Sequence, residues 1–153
     1  MRWFELKVPP PVVTLLIATS MWGIAPSLSV TETFQPVRIL PAAPFVLLGG
    51  FCGMFALVSF IRHRTSIDPH HPAKASCLVV TGLYRHTRNP MYLGLCLLLI
   101  GWGILLGAPV TLCGPAMFVV YLTRFQIRLE ERLLLERFGK DYEAYCKKVR
   151  RWL

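Results

Sequence analysis

Long uncharged apolar runs alternate with short charged segments along this chain. The first run covers residues 8–31 and the second residues 39–61. Each supplies the ~20 apolar residues that a helix needs to cross a ~30 Å hydrocarbon core. Between them, residues 32–38 carry Glu32, Pro36 and Arg38. Pro41 and Pro44 then open the second helix, where a missing N–H does little harm. A third uncharged run extends from Asn89 to Thr123. A helix rises only ~1.5 Å per residue, so this run is too long for one span and short for two. Gly107-Ala108-Pro109 near its middle is a turn signal. The pattern predicts a tight hairpin of helices over 91–106 and 110–123, the second continuing beyond the apolar run.

The periodicity changes after residue 124. Phe125, Leu129 and Leu133 share one helical face at i, i+4 spacing, and Arg128 and Arg132 fall on another. Phe138-Gly139 ends that helix with a C-cap glycine. Tyr142, Tyr145 and Val149 form a shorter apolar stripe, expected to rest on lipid headgroups. Upstream, residues 62–88 form a loop. Its Asp68-Pro69-His70-His71-Pro72 stretch is incompatible with regular helix.

Composition sharpens this pattern. Hydrophobic residues make up 54% of the 153 positions and the mean hydropathy is +0.51, too apolar for an ordinary soluble domain. The fold class expected is therefore all-α: a polytopic integral membrane protein with about four transmembrane helices and a cytoplasmic C-terminal amphipathic helical segment. It forms one domain, 1–153, with two N-terminal spans in 1–61 and the polar clusters in 62–153. The run 8–31 is longer than a signal-peptide core, and Pro26 disfavours cleavage near Ala25-Pro26-Ser27, so it is read as a retained span.

The formal net charge of +9 would suggest nucleic acid in a soluble protein, but here the basic residues flank the spans. Arg2 and Lys7 precede the first run, and Arg62, Arg64, Lys74, Arg85 and Arg88 lie between the second and third. The remaining basic residues begin at Arg124, and Arg38 alone falls in a connector on the opposite face. The positive-inside rule then places both termini in the cytoplasm, in a cytoplasmic (inner) membrane. Anionic lipid headgroups, not nucleic acid, account for the charge.

Metal and disulfide chemistry are not expected. Cys52, Cys77, Cys96, Cys113 and Cys146 are scattered and odd in number, without a C-x-x-C pair. His63, His70, His71 and His86 match no zinc spacing. Gly49-Gly50 and Gly53 read as a small-residue packing face of the second helix.

Two polar clusters flank the apolar hairpin. Arg85 and Arg88 precede Pro90, which suits the first helical turn. Arginines beside a helix N-terminus make an anion site, for a carboxylate or phosphate, or else anchor the helix at the interface. Glu130-Glu131 follows the hairpin. It is either a surface ladder paired with Arg124, Arg128 and Arg132, or a carboxylate pair that binds an ammonium or ribose hydroxyl.

Taken together, these residues resemble a known family. Leu78-Val79-Val80-Thr81-Gly82-Leu83-Tyr84, followed by Arg88-Asn89-Pro90-Met91-Tyr92-Leu93-Gly94, is similar to the motif of the isoprenylcysteine carboxyl methyltransferase and phospholipid methyltransferase superfamily. The family pattern there is Leu-Val-x-x-Gly-x-Tyr, then Arg-His-Pro-x-Tyr-x-Gly. Glu130-Glu131, Phe138-Gly139, Tyr142, Tyr145, Val149 and Arg151 extend the likeness over residues 62–153.

The resemblance implies S-adenosylmethionine as methyl donor. Leu78, Val79 and Tyr84 would line the adenosyl pocket, continued by Asn89, Pro90 and Tyr92. Arg88 would serve as the anion site, and Glu130 would hold a polar part of the donor with Glu131 in support. Asn89 stands where the family has histidine; it hydrogen-bonds without titrating, so no acid–base role falls there. Gln126 stands where eukaryotic members carry a substrate-binding arginine, and Arg124 and Arg128 flank it as substrate-positioning candidates. The implied reaction is methyl transfer to a lipophilic or lipidated acceptor, isoprenylcysteine-like or a lipid, at the cytoplasmic membrane face. Two rival functions are a sterol-reductase-type membrane enzyme using NADPH and a non-enzymatic membrane module.

Overall fold

The computed structural model describes residues 8–28, 36–62 and 78–153, and every regular element among them is helical. Helix α1 spans Pro10–Leu28 and α2 spans Ile39–Arg62. Helix α3 spans Pro90–Leu106, α4 Cys113–Leu122, α5 Arg128–Phe138 and α6 Lys140–Lys148. The hairpin turn lies where the Gly107 signal placed it. Gly107 closes α3 in the left-handed conformation, with φ of 68°. Pro90 occupies the first turn of α3, and Gly139, with φ of 50°, separates α5 from α6.

Helices α4 and α5 are joined without a break by a π-helical turn, Thr123–Ile127. Pro109–Phe138 is thus one continuous 30-residue helical segment. This turn was not foreseen. A π-turn adds one residue to a helical turn and shifts the register of everything after it.

Helix α3 is the centre of the bundle. It packs along α2 and contacts α1 and α4, which also touch each other. The buried core includes Met21, Leu99, Leu106, Phe118, Leu122 and Ile127. Helices α2 and α3 approach most closely at a glycine pair. A Cβ on Gly94 would lie 2.7 Å from the Gly49 carbonyl oxygen and 3.0 Å from the Gly53 nitrogen. The packing contact is therefore centred on Gly49, with the Gly53 backbone beside Gly94 one helical turn on and open space where a Gly53 side chain would be. Gly50 points away and is exposed, which corrects the contiguous Gly49-Gly50-Gly53 face expected from sequence.

Two described segments, Pro36–Ser59 and Pro109–Phe138, are long and apolar enough to cross a membrane. Pro10–Pro26 and Pro90–Leu106 are shorter apolar helices. Arg38 has a defined task at the far end of the bundle. Its Nη1 donates to the Leu106 carbonyl at 3.0 Å, capping the C-terminus of α3 where the helix dipole favours a cation.

The stripe of Tyr142, Tyr145 and Val149 does not face lipid as expected. It is buried against Leu78, Leu134, Phe138 and Cys146. The aromatic spacing was legible, but the partner was the chain itself. Arg2, Lys7, Glu32, Arg64, Lys74, Cys77, His63, His70 and His71, and the 68–72 loop, lie outside the described residues.

Candidate active site at the start of the third helix

The segment before α3 is a short 3₁₀ turn, Gly82–Arg85, made possible by Gly82 at φ of 62°. A side chain at Gly82 would run into the Phe55 ring of α2. The turn buries Tyr84 and leads through Thr87, Arg88 and Asn89 into Pro90. The tyrosines of α6 hold it in place: Tyr145 Oη donates to the Tyr84 carbonyl at 2.7 Å. Burial pushes the Tyr145 phenol up to about 12, against a lowering from Arg88. Burial also raises the Tyr84 and Tyr142 phenols, so all three stay neutral at physiological pH.

The two adjacent glutamates serve two different neighbourhoods. Glu130 accepts a hydrogen bond from Tyr92 Oη at 2.6 Å and one from Gln126 Nε2 at 2.9 Å. Tyr92 comes from α3 and Gln126 from the π-turn, and both are buried. Glu131 faces the other way. Its Oε1 lies 3.0 Å from Arg88 Nη1, and Arg151 grips it with two bonds, Nε to Oε1 at 2.9 Å and Nη2 to Oε2 at 2.6 Å. Hydrogen bonding to Glu131 raises the Arg151 pKa above its ordinary value, so this cation is permanent. Among the described residues the ladder of Glu130-Glu131 with Arg124, Arg128 and Arg132 is not what forms: Glu131 pairs with arginines outside α5, and the one helical neighbour that bonds Glu130 is Gln126.

An open cavity of about 410 Å³ adjoins Glu131. It is lined by Arg88, Arg128, Arg132, Tyr142, Cys146 and Arg151, among others. Arg88 Nη1 also contacts Cys146 Sγ at 2.7 Å, and Arg88 Nε is buried without a hydrogen-bond partner. Four arginines against two carboxylates, Glu131 and Glu143, make the lining cationic on balance.

The residues expected from sequence distribute as follows. Arg88, Arg128 and Glu131 line the cavity. Tyr92, which is buried, and Glu130, which is half-buried, meet in a hydrogen-bonded pair. Tyr84 is close enough to Glu130 for that charge to raise its pKa further, but Tyr84, Tyr92 and Glu130 are not among the residues lining this cavity. Val79 is buried and Leu78 packs under the α6 stripe. Pro90 is buried at the α3 start. Asn89 Nδ2 donates to the Arg151 carbonyl at 2.9 Å, a purely hydrogen-bonding role. Arg124 is exposed on the π-turn and does not line the cavity. Arg151, Arg132 and Cys146 were not singled out as site residues, because nothing in local spacing announces a contact made 20 residues away. Gln126 is expected only as a replacement for an arginine, and its bond to Glu130 one helical turn on is a finding of the structure. Among the described residues, no group of three or more His, Cys, Asp or Glu side chains converges as a metal site would require.

Comparison with known proteins identifies the family of the chain. Residues 37–141 match the phospholipid methyltransferase family, spanning α2 through the start of α6. The chain belongs to this family. A probable protein-S-isoprenylcysteine O-methyltransferase of Oryza sativa subsp. indica is 31% identical over 153 residues, covering 89% of this chain and 77% of that protein. The protein-S-isoprenylcysteine O-methyltransferase of Saccharomyces cerevisiae is 40% identical over 107 residues, 68% of this chain and 44% of that protein. A Delta(14)-sterol reductase of Mus musculus is 31% identical over 75 residues, only 47% of this chain and 18% of that protein. This family member is a methyltransferase.

Proposed function

We propose that this methyltransferase transfers a methyl group from S-adenosylmethionine to a lipophilic acceptor, isoprenylcysteine-like or a lipid, at the cytoplasmic face of a membrane. The observation that carries the reading is the division of labour at Glu130 and Glu131. A half-buried carboxylate is held by Tyr92 and Gln126 beside an arginine-lined cavity, within a phospholipid methyltransferase family member.

The donor set suits the ligand. An amino-acid carboxylate matches Arg88, whose Nε is left without a partner among the described residues. Glu130 offers an acceptor for an ammonium or ribose hydroxyl. When bound, S-adenosylmethionine supplies an electrophilic methyl on a sulfonium. The chain's own residues supply position and environment. Tyr92 and Gln126 fix the Glu130 carboxylate. Tyr84 and Pro90 are buried at the α3 start and keep water from it, and Val79 is buried upstream. Asn89 moves no proton. Arg128 at the cavity and Arg124 outside it are the candidates for positioning an anionic group of the acceptor. The neutral tyrosines and the low local dielectric strengthen each polar contact.

A four-span membrane topology is part of this proposal. The core helix of a soluble protein is mostly buried, whereas only 28% of the apolar window in Pro36–Ser59 is buried, and 39% in Pro109–Phe138. Leu40, Leu47, Phe51, Met54 and Ile61 of α2 are exposed, as are Leu15, Leu16 and Trp22 of α1. So much exposed apolar surface needs lipid. The charge pattern supports a cytoplasmic position for both termini.

S-adenosylhomocysteine tests the reading directly. It should raise the thermal stability of detergent-purified protein by mass action, about 2.7 kcal/mol at a hundredfold excess over Kd. Glu130→Ala should remove that shift without loss of expression. Radiolabelled methyl transfer into membrane extracts then identifies the acceptor. Stabilisation by NADPH with none by S-adenosylhomocysteine would replace this reading with the reductase one.

A further inference from the structure

The family match ends at residue 141, yet the site is tied together by residues beyond it. The segment Arg150–Trp152 touches all three pieces that carry the site. It accepts from the turn before α3: Arg88 N–H donates to the Arg150 carbonyl at 3.0 Å, and Asn89 Nδ2 and Thr87 Oγ1 donate to the Arg151 carbonyl at 2.9 and 3.4 Å. It grips α5 through the two Arg151–Glu131 bonds. It reaches the π-turn through Trp152 Nε1, which donates to Thr123 Oγ1 at 3.2 Å, and the Trp152 ring packs on the bundle core.

We infer that Arg151 is a positioning residue for the methyl donor, acting through Glu131 on Arg88. The inference rests on the donor-site reading above. Glu131 has two oxygens and two cationic partners. Arg151 bonds both oxygens, while Arg88 reaches only Oε1. With Oε2 held by Arg151, Arg88 is tethered at one nitrogen and the rest of its guanidinium stays at the cavity. Without Arg151, both carboxylate oxygens are free to draw Arg88 into a two-pronged pair with Glu131, the geometry this pair of groups prefers. Arg88 would then turn from the cavity, and the carbonyls that fix Thr87, Arg88 and Asn89 would lose their anchor on α5. Arg151 itself is a third exposed and strongly held, which suits a brace better than a ligand-binding group.

The test measures S-adenosylhomocysteine affinity and donor KM in the full-length protein in detergent. Arg151→Ala should weaken affinity and raise donor KM about tenfold, the scale of one hydrogen bond to a charged group. Methyl incorporation at saturating donor should stay within about twofold of wild type, because the reacting geometry is rebuilt once donor is bound. Added guanidinium ion should restore part of the affinity by refilling the Glu131 site. A merely structural role would lower stability and saturating rate together and would not respond to guanidinium. Lys148→Ala, which removes an exposed cation at the end of α6, should change nothing; an equal loss there would overturn the specific role. If wild type binds S-adenosylhomocysteine and Arg151→Ala binds it equally, the brace is refuted and the donor site stands. If wild type does not bind it, the donor site itself is refuted. Should Arg151→Ala prove too unstable to purify, Arg151→Lys keeps the cation but loses the two-pronged grip; severalfold weaker binding supports the brace, and wild-type affinity overturns it.

Discussion

The first turn of α3 and the face it packs on α2 are held by opposite means. From its second turn onward, contact with α2 is a matter of shape. Gly94 meets Gly49 backbone to backbone, and Gly101 lies against Val46 and Ala42. At its N-terminus the contacts are polar and come from distant parts of the chain: Tyr92 to Glu130, Arg88 to Glu131, Asn89 to the Arg151 carbonyl. The difference follows from the surroundings proposed for each. Within lipid, apolar side chains gain nothing by leaving the bilayer for a neighbouring helix, so small residues and close approach drive association. At the cytoplasmic rim, water competes for every polar group, so only a cluster that buries its bonds holds a fixed arrangement. One helix therefore carries a steric half that sets the bundle and an electrostatic half that sets the chemistry.

The strongest way to break this comparison is at the steric half. Gly94→Val places a Cβ 2.7 Å from the Gly49 oxygen and 3.0 Å from the Gly53 nitrogen, neither of which can rotate away. Helices α2 and α3 must separate, and overpacking at backbone contacts costs several kcal/mol, beyond the usual ~1–3 kcal/mol of a repackable core. The expected outcome is loss of monodisperse protein in detergent, read by size-exclusion chromatography. Gly50→Ala, on the exposed side of α2 with open space around it, should be tolerated. Equal behaviour of the two variants would show that the glycine pair does not set the crossing.

The electrostatic half should respond in function before stability. Tyr92→Phe removes the 2.6 Å hydrogen bond to Glu130 but leaves the one from Gln126. A bond to a charged group contributes about 1.5–3 kcal/mol, so donor affinity should fall roughly tenfold or more. The apolar ring remains to fill its place in the core, and the melting temperature without ligand should move little. An unchanged S-adenosylhomocysteine affinity would place the donor away from Glu130.

How much of this was readable in advance divides along the same line. Local signals located the steric half and the element ends. Pro90 marked the α3 start, Gly107 its end and Gly139 the break before α6, because each acts through its own backbone. The motif residues around Tyr84, Arg88, Tyr92 and Glu130 marked the polar end. The partners did not follow from spacing. Helical i, i+4 reasoning offered Arg128 and Arg132 to the glutamates, whereas the pairs formed are with Arg88 and Arg151. The π-turn at Thr123–Ile127 carries no composition cue, yet it determines how Gln126, Glu130 and Glu131 are presented. The Tyr142 and Tyr145 stripe was seen but assigned to lipid, since amphipathicity reveals an apolar face and not what covers it.

The smallest effect should come from the far end of α3, where the two halves can be tested apart. Arg38→Gln removes the guanidinium that donates to the Leu106 carbonyl at 3.0 Å and caps the helix dipole. A helix-end cation contributes about 0.3–1 kcal/mol, and in a chain of this size 1 kcal/mol moves the melting temperature by about 2–4 °C. The 17 residues of α3 put this cap about 25 Å from the start of the helix. That is beyond the ~8 Å over which exposed charges act at physiological salt. Donor affinity in Arg38→Gln should therefore equal that of wild type while the melting temperature falls. A parallel loss of S-adenosylhomocysteine binding would mean that α3 transmits strain along its length, and that the steric and electrostatic halves act as one unit.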